Sequence, residues 1–197
     1  MGNKEIQEQR IKSYFIEATK EILKGEGLKS LSVRNIAERA GYSYATLYNY
    51  FKDVKDLIFE CVVDFHEECE EFVKTETKKS QSGPGKIKAI AKAYVKYFIQ
   101  YPGIFELFFL EKTTELANKQ PTIKLIYSFL DKLSEDEWEY CIKTKIVSAA
   151  DASIMKDTVH YAIIGMLLFY INRREPGTYK EFFEKIETQL NYILKVK

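Results

Sequence analysis

The chain has 197 residues, of which 46% are hydrophobic, and it contains 9 glycines and 4 prolines. That is too much apolar material and too little punctuation for a disordered or collagen-like chain. A balance of 30 Lys and Arg against 29 Asp and Glu excludes a polybasic, histone-like protein, though not a local nucleic-acid surface. No stretch alternates β-branched with polar residues for long, so the whole chain reads as all-α. Ile11, Phe15, Ala18 and Ile22 share one face of a first helix over 4–24, which Gly25 and Gly27 end. Ser32 caps a second helix, 33–40, whose apolar stripe is Val33, Ile36, Ala37 and Ala40; Gly41 stops it after about two turns. Ser43 caps a third over 44–50, and Asp53 caps a fourth that reaches about residue 79.

The loop at 80–85, SQSGPG, separates these from helices near 86–100, 102–115 and 121–147. Within the last of these, Ser134-x-x-Glu137 has the spacing of a capping box, which makes Ser134 the candidate break. A long helix over 152–174 follows, then a Pro176-Gly177 turn. Thr178-x-x-Glu181 caps a final helix in which Phe182, Ile186, Leu190 and Ile193 recur at helical spacing.

The chemistry of most enzyme classes is missing. There is no P-loop, no GxGxxG after a strand, no HExxH and no Gly-x-Ser-x-Gly. His66, Cys69 and Glu70 fall on one helix, but such a face is ordinarily just solvated, so no metal, no cofactor and no catalytic residue is expected. Cys61, Cys69 and Cys141 form no CxxC pair or disulfide framework. The first residues lack the apolar core of a secretory signal. The most apolar stretch, 161–171, is about half the length a membrane span needs. A reducing, cytoplasmic setting with no membrane partner is the expectation.

The informative segment is 32–51, SVRNIAERAGYSYATLYNYF. Two short helices joined by Gly41-Tyr42-Ser43 have the form of a helix-turn-helix. Ile36, Ala37, Ala40, Leu47 and Phe51 can pack the pair against the first helix. This leaves Tyr44, Ala45, Thr46, Tyr48, Asn49 and Tyr50 on a second helix rich in polar and aromatic tips, where small Ala45 and Thr46 permit close approach and methyl contact with thymine.

These residues resemble the TetR family of bacterial transcription regulators. The likeness rests on Gly27, on Ser32-Val33-Arg34-Asn35-Ile36-Ala37, on Ala40-Gly41, and on Thr46-Leu47-Tyr48-Asn49-Tyr50-Phe51. It covers about residues 10–60, and Tyr101-Pro102-Gly103-Ile104-Phe105 matches a Pro-containing helix start further on. The resemblance implies that Ser32 and Arg34 contact phosphate, with Arg34 also within reach of a base edge. It places Tyr44, Ala45, Thr46 and Asn49 in the major groove, and Tyr48 and Tyr50 on phosphates through their hydroxyls. Ser43, at the cap of the reading helix, is counted with them. Two positions depart from the pattern: Tyr50 stands where His is common, and Val54 where Lys is frequent, with Lys52 and Lys55 beside it as replacement phosphate contacts. Residues 1–57 carry ten Lys and Arg against eight Asp and Glu, so a single head is weakly basic and two heads on a symmetric operator are expected.

Two domains are expected: a three-helix DNA-binding head, 1–52, and a larger helical domain, 53–197, for effector binding and dimerisation. For an effector pocket, which the resemblance locates between the middle helices, the candidates are Tyr94, Tyr97, Phe98, Phe105, Glu106, Phe109, Glu111, Tyr127 and Trp138. The same aromatics can equally fill a helical core. An aromatic pocket with carboxylates suits a flat or cationic small molecule. Helix 152–174 is apolar around much of its circumference, which a surface helix avoids. Ala162 and Gly165 allow close helix approach, and with Met166, Phe169, Phe182, Ile186, Leu190 and Ile193 they are the candidate interface of a homodimeric four-helix bundle. The function implied is a sequence-specific DNA-binding regulator, a repressor released from its operator by a small molecule. The alternatives are a regulator without a ligand, and an all-α small-molecule-binding protein whose helix-turn-helix is only structural.

Overall fold

A computed structural model describes residues 2–110 and 120–195. Among the described residues all regular structure is helical. The elements are α1 (Asn3–Gly25), a 3-10 turn (Leu28–Ser30), α2 (Val33–Ala40), α3 (Tyr44–Tyr48), α4 (Val54–Thr77), α5 (Pro84–Gln100), α6 (Pro102–Phe109), α7 (Gln120–Tyr127), α8 (Phe129–Lys143), α9 (Ala149–Arg173) and α10 (Tyr179–Leu194).

The chain divides into two compact units. The first takes residues up to Glu67 together with Tyr101–Lys124; the second takes Glu68–Gln100 and Leu125–Lys197. In the first unit Phe15, Ala18 and Ile22 of α1 meet Ile36 and Ala37 of α2, Leu47 of α3, and Phe51 and Leu57 beyond it. Each of the four apolar positions expected on α1 packs in or against this core, Ile11 being the partly buried one. Segment 102–109 joins the same unit because Gly103 lets α6 approach α1 at backbone contact: a Cβ there would lie 2.2 Å from the Leu23 carbonyl oxygen.

In the second unit α5, α8, α9 and α10 pack on one another. Its interior holds Tyr94, Phe98, Phe129, Ile163, Leu167, Phe182 and Ile186, all buried. Tyr170 of α9 stacks on Phe182 of α10 with ring centroids 4.2 Å apart. By length and composition α9 is long and apolar enough to cross a membrane, which the uninterrupted apolar run alone does not reveal. Here it is a bundle helix, and Ala152, Val159, Ile163, Leu167 and Tyr170 form its buried side.

Two element boundaries differ from expectation. The break in the 121–147 segment falls at Ser128, not Ser134. Ser134 is buried within α8, and its hydroxyl donates to the Leu130 carbonyl at 2.9 Å. Glu137, the other half of the expected box, accepts instead from the Gly83 N–H at 2.9 Å and pairs with Lys86 at 2.8 Å. The following helix starts three residues earlier than read, because Ser148 caps it by accepting from the Asp151 N–H at 3.0 Å. The Thr178 cap is as expected: Thr178 Oγ1 accepts from the Glu181 N–H, and the Glu181 carboxylate accepts from the Thr178 N–H.

Candidate nucleic-acid interface

The helix-turn-helix is built from three local devices. Ser32, with extended backbone, begins α2 and its side chain accepts from the Asn35 N–H at 3.2 Å. Gly41 ends α2 at φ +76, a left-handed conformation that a side chain disfavours, and the Tyr42 N–H closes the turn on the Ala37 carbonyl. Ser43 then caps α3: its oxygen lies 3.2 Å from the Thr46 N–H and 2.9 Å from Thr46 Oγ1.

α3 has five residues and only Leu47 among them is buried. One anchor on a short helix leaves the remaining faces outward. Tyr44 is 66% exposed and Tyr48 51%; Ala45 and Asn49 are exposed and Thr46 is half-buried. On the approach side Ser32 and Arg34 are exposed, and past α3 so are Lys52 and Lys55. Ser43 is exposed as well, with its oxygen engaged in the cap. Tyr50 differs from its neighbours. It is half-buried against the head core, its ring 6.4 Å from that of Phe15. Only its rim is left for a backbone contact. Val54 also packs on the core, so that position cannot supply the phosphate contact of a lysine.

The surface has features the sequence reading missed. Tyr42, in the turn, lies between Phe15 (centroids 5.5 Å apart) and exposed Tyr14 (6.1 Å, stacked), and so braces the turn against α1. A depression beside the end of α3 is lined by Glu5, Glu8, Gln9 and Lys12 together with Asn49 and Tyr50. Lys12 bonds Glu60 and sits over the Phe51 ring. The acidic side chains of the first α1 turns thus flank the end of α3, which no motif spacing signals.

The other candidate residues separate into groups. Tyr94, Tyr97 and Phe98 on α5 are buried in the second unit in edge-to-face contact: Tyr94–Phe98 at 4.8 Å and Tyr97–Phe98 at 5.6 Å. Phe129 joins them 5.6 Å from Tyr94. Tyr94 Oη is fully enclosed and has no hydrogen-bond partner among the described residues. Phe105, Glu106 and Phe109 belong to the first unit, where Phe105 and Phe109 pack at 5.0 Å. Tyr127 is exposed, Trp138 is buried on α8, and Glu111 lies outside the described residues.

Of the residues assigned to a dimer interface, Phe169 is exposed and Ala162, Gly165, Met166 and Ile193 are half-buried. Phe182, Ile186 and Leu190 are a correction, since all three are buried in the chain's own core. A period of three to four marks an apolar face without saying whether the same chain or a second copy covers it. The exposed apolar residues of these helices are instead Ile154, Tyr161, Leu168, Phe169, Tyr179 and Tyr192, with Tyr161 at 74% and Tyr192 at 84%. Among the described residues no three His, Cys, Asp or Glu groups gather so as to hold a metal ion. Burial pushes the Cys69 thiol far above its ordinary range.

Residues 15–61 match the model of the bacterial regulatory proteins of the tetR family. No curated protein is significantly similar in sequence. Solved structures are similar over almost the whole length at low identity. A protein of Mesorhizobium loti assigned to that family is 14% identical at a TM-score of 0.73, with 96% of this chain and 97% of that one covered. A TetR-family regulator of Marinobacter aquaeolei is 18% identical at 0.64, with 97% of each covered. The regulator FadR of Bacillus subtilis, solved with stearoyl-CoA, is 15% identical at 0.68, with 92% and 97% covered. Residues 15–61 thus carry a tetR-type regulatory head, and the fold of the whole chain is that of solved tetR-family regulators.

Proposed function

We propose that the protein is a homodimeric repressor that binds a two-fold symmetric operator and is released from it by a small molecule. The observation that carries DNA binding is the outward placement of α3, whose single buried residue leaves Tyr44, Ala45, Tyr48 and Asn49 at the surface. Ser32 and Arg34 at the start of α2 are the phosphate contacts, and the positive end of the α2 dipole assists them. On α3 itself there is no Lys or Arg to read guanine, which leaves Arg34 of α2 as the one candidate for that contact. Asn49 suits adenine, and the methyl groups of Ala45 and Thr46 suit thymine. Lys52 and Lys55 carry the phosphate contact that Val54 cannot.

Dimerisation uses the exposed apolar side of α9 and α10, where Tyr161, Leu168, Phe169 and Tyr192 would otherwise face water. Two heads then meet half-sites about 34–36 Å apart. An effector in the second unit favours the dimer geometry that fits DNA less well, and the loss of operator affinity equals its preference for that geometry. The enclosed Tyr94 hydroxyl with no partner supports a polar contact made only when a ligand is present. The FadR structure holds stearoyl-CoA, and the apolar, aromatic surroundings of Tyr94 support an effector with an apolar part here.

The test is fluorescence anisotropy with labelled duplex DNA over a series of salt concentrations. Affinity should fall steeply with salt. Arg34→Ala and Tyr48→Phe should each weaken binding, the first by about tenfold, with no change in melting temperature, because both side chains are exposed. Full affinity in Arg34→Ala would remove the role assigned to it, and binding indifferent to salt would remove the DNA-binding reading altogether.

A further inference from the structure

One end of the second unit carries a cleft of about 470 Å³ that is open to solvent on its polar side, where Lys145, Ser148, Asp151 and Lys195 are exposed. It lies where the start of α5, the end of α8, the start of α9 and the end of α10 come together. That volume is within the usual range of small-molecule sites, and it is far from enough for a whole acyl-CoA. None of the residues that read DNA and none of the exposed apolar residues of α9 and α10 line it.

Its chemistry is divided. Ile87, Trp138, Cys141 and Leu194 form an apolar part, and each is almost wholly buried. Burial raises the Cys141 thiol, with Glu137 adding to the effect, so this part carries no charge. The polar part holds Lys145 and Lys195 with one carboxylate, Asp151. Asp151 is already committed to the α9 cap, accepting from the Ser148 hydroxyl at 2.8 Å. Neither lysine has an ion-pair partner among the described residues.

Both lysines also share an uncommon backbone. Lys145 follows α8 at φ +59 and Lys195 follows α10 at φ +53, left-handed positions that glycine or asparagine usually fills. A side chain there carries a conformational cost of about 1–2 kcal/mol. Two of the three such non-glycine residues in the described structure line this one cleft.

We propose that this cleft binds a small amphipathic carboxylate, the tail against Trp138, Ile87 and Leu194 and the carboxylate between Lys145 and Lys195. An anion is chosen over a neutral ligand because the lining holds two lysines with no ion-pair partner among the described residues against one carboxylate, a local excess of positive charge. An alkyl or aryl body of modest size is chosen because the buried lining is apolar and the volume is small.

Trp138 is the only tryptophan in the chain, so its emission reports on this cleft. The full-length protein is titrated with octanoate, with octanol as the uncharged analogue, and binding is followed by Trp138 emission and by calorimetry. The double variant Lys145→Asn, Lys195→Asn removes both charges while keeping a residue that tolerates the left-handed conformation; its melting temperature confirms an intact fold. The expected result is saturable octanoate binding that is at least tenfold tighter than octanol binding and at least tenfold weaker in the double variant. No saturable binding, equal binding of octanol, or a loss of less than tenfold in the variant overturns the proposal. The readouts involve no DNA, so failure of the operator experiment leaves this result standing, and the reverse also holds.

Discussion

Glu137 is nearly buried on α8, yet it is ionised, and its surroundings explain how. Burial by itself would raise its pKa. The Lys86 ammonium, the Gly83 N–H and the Ser82 hydroxyl outweigh burial and hold the carboxyl below the usual carboxylate range. A group whose pKa is lower folded than unfolded stabilises the fold above its unfolded pKa, and that contribution is lost as pH falls through the folded value. Glu137→Gln should therefore lower stability at pH 7 by about 1–3 kcal/mol, and the gap from the wild type should close on acidification below about pH 4. Thermal melts of both proteins from pH 7 to pH 3 check this; a gap that persists at pH 3 would mean that packing, not charge, holds α8 to the start of α5. Val54 is a residue-scale case of the opposite kind. Nothing in its sequence context tells whether it faces solvent or core, and its partners, the head core residues, are fixed only by the fold.

At the scale of elements, the helices of the head were legible because caps and periodicity agree. Ser32, Gly41 and Ser43 each act on a group three or four residues away, and the 11, 15, 18, 22 stripe repeats at the same spacing. What the sequence hid depends on distant partners. Ser134 and Glu137 satisfy a capping pattern, but a carbonyl one turn back takes the first, and Gly83 and Lys86, some fifty residues away, take the second. The α10 stripe was read correctly as apolar and assigned to the wrong neighbour, since burial in one's own core and burial against a twin require the same spacing. The α1–α6 contact is another long-range feature: nothing near Gly103 shows that a backbone lies against it. Gly103→Ala would place a Cβ 2.2 Å from the Leu23 oxygen and 2.8 Å from the Gly27 Cα. Backbone atoms cannot swing aside as a side chain does, so the helices must part. A loss of about 1–3 kcal/mol, seen as a lower melting temperature, is expected, and an unchanged melt would show that α6 has freedom to shift.

For the whole molecule, the sign of the exposed α9 face matters most. Tyr161, Leu168 and Phe169 lie on the side away from the buried Val159, Ile163, Leu167 and Tyr170. Gly165 lies among them, and a Cβ built there meets no atom within 4 Å. Gly165→Glu should therefore leave the single chain folded while introducing a charge into the proposed contact between copies. Sedimentation velocity should show a monomer, with operator affinity falling because each head then binds alone; an unchanged dimer would move the interface elsewhere.

That α3 is tied down only through Leu47 and a serine cap has a consequence of another kind. Positions 44, 45, 48 and 49 are exposed, so substitutions there are expected to alter DNA preference while leaving the scaffold folded. Such a module can drift between target sites, or be retargeted by design, one letter at a time.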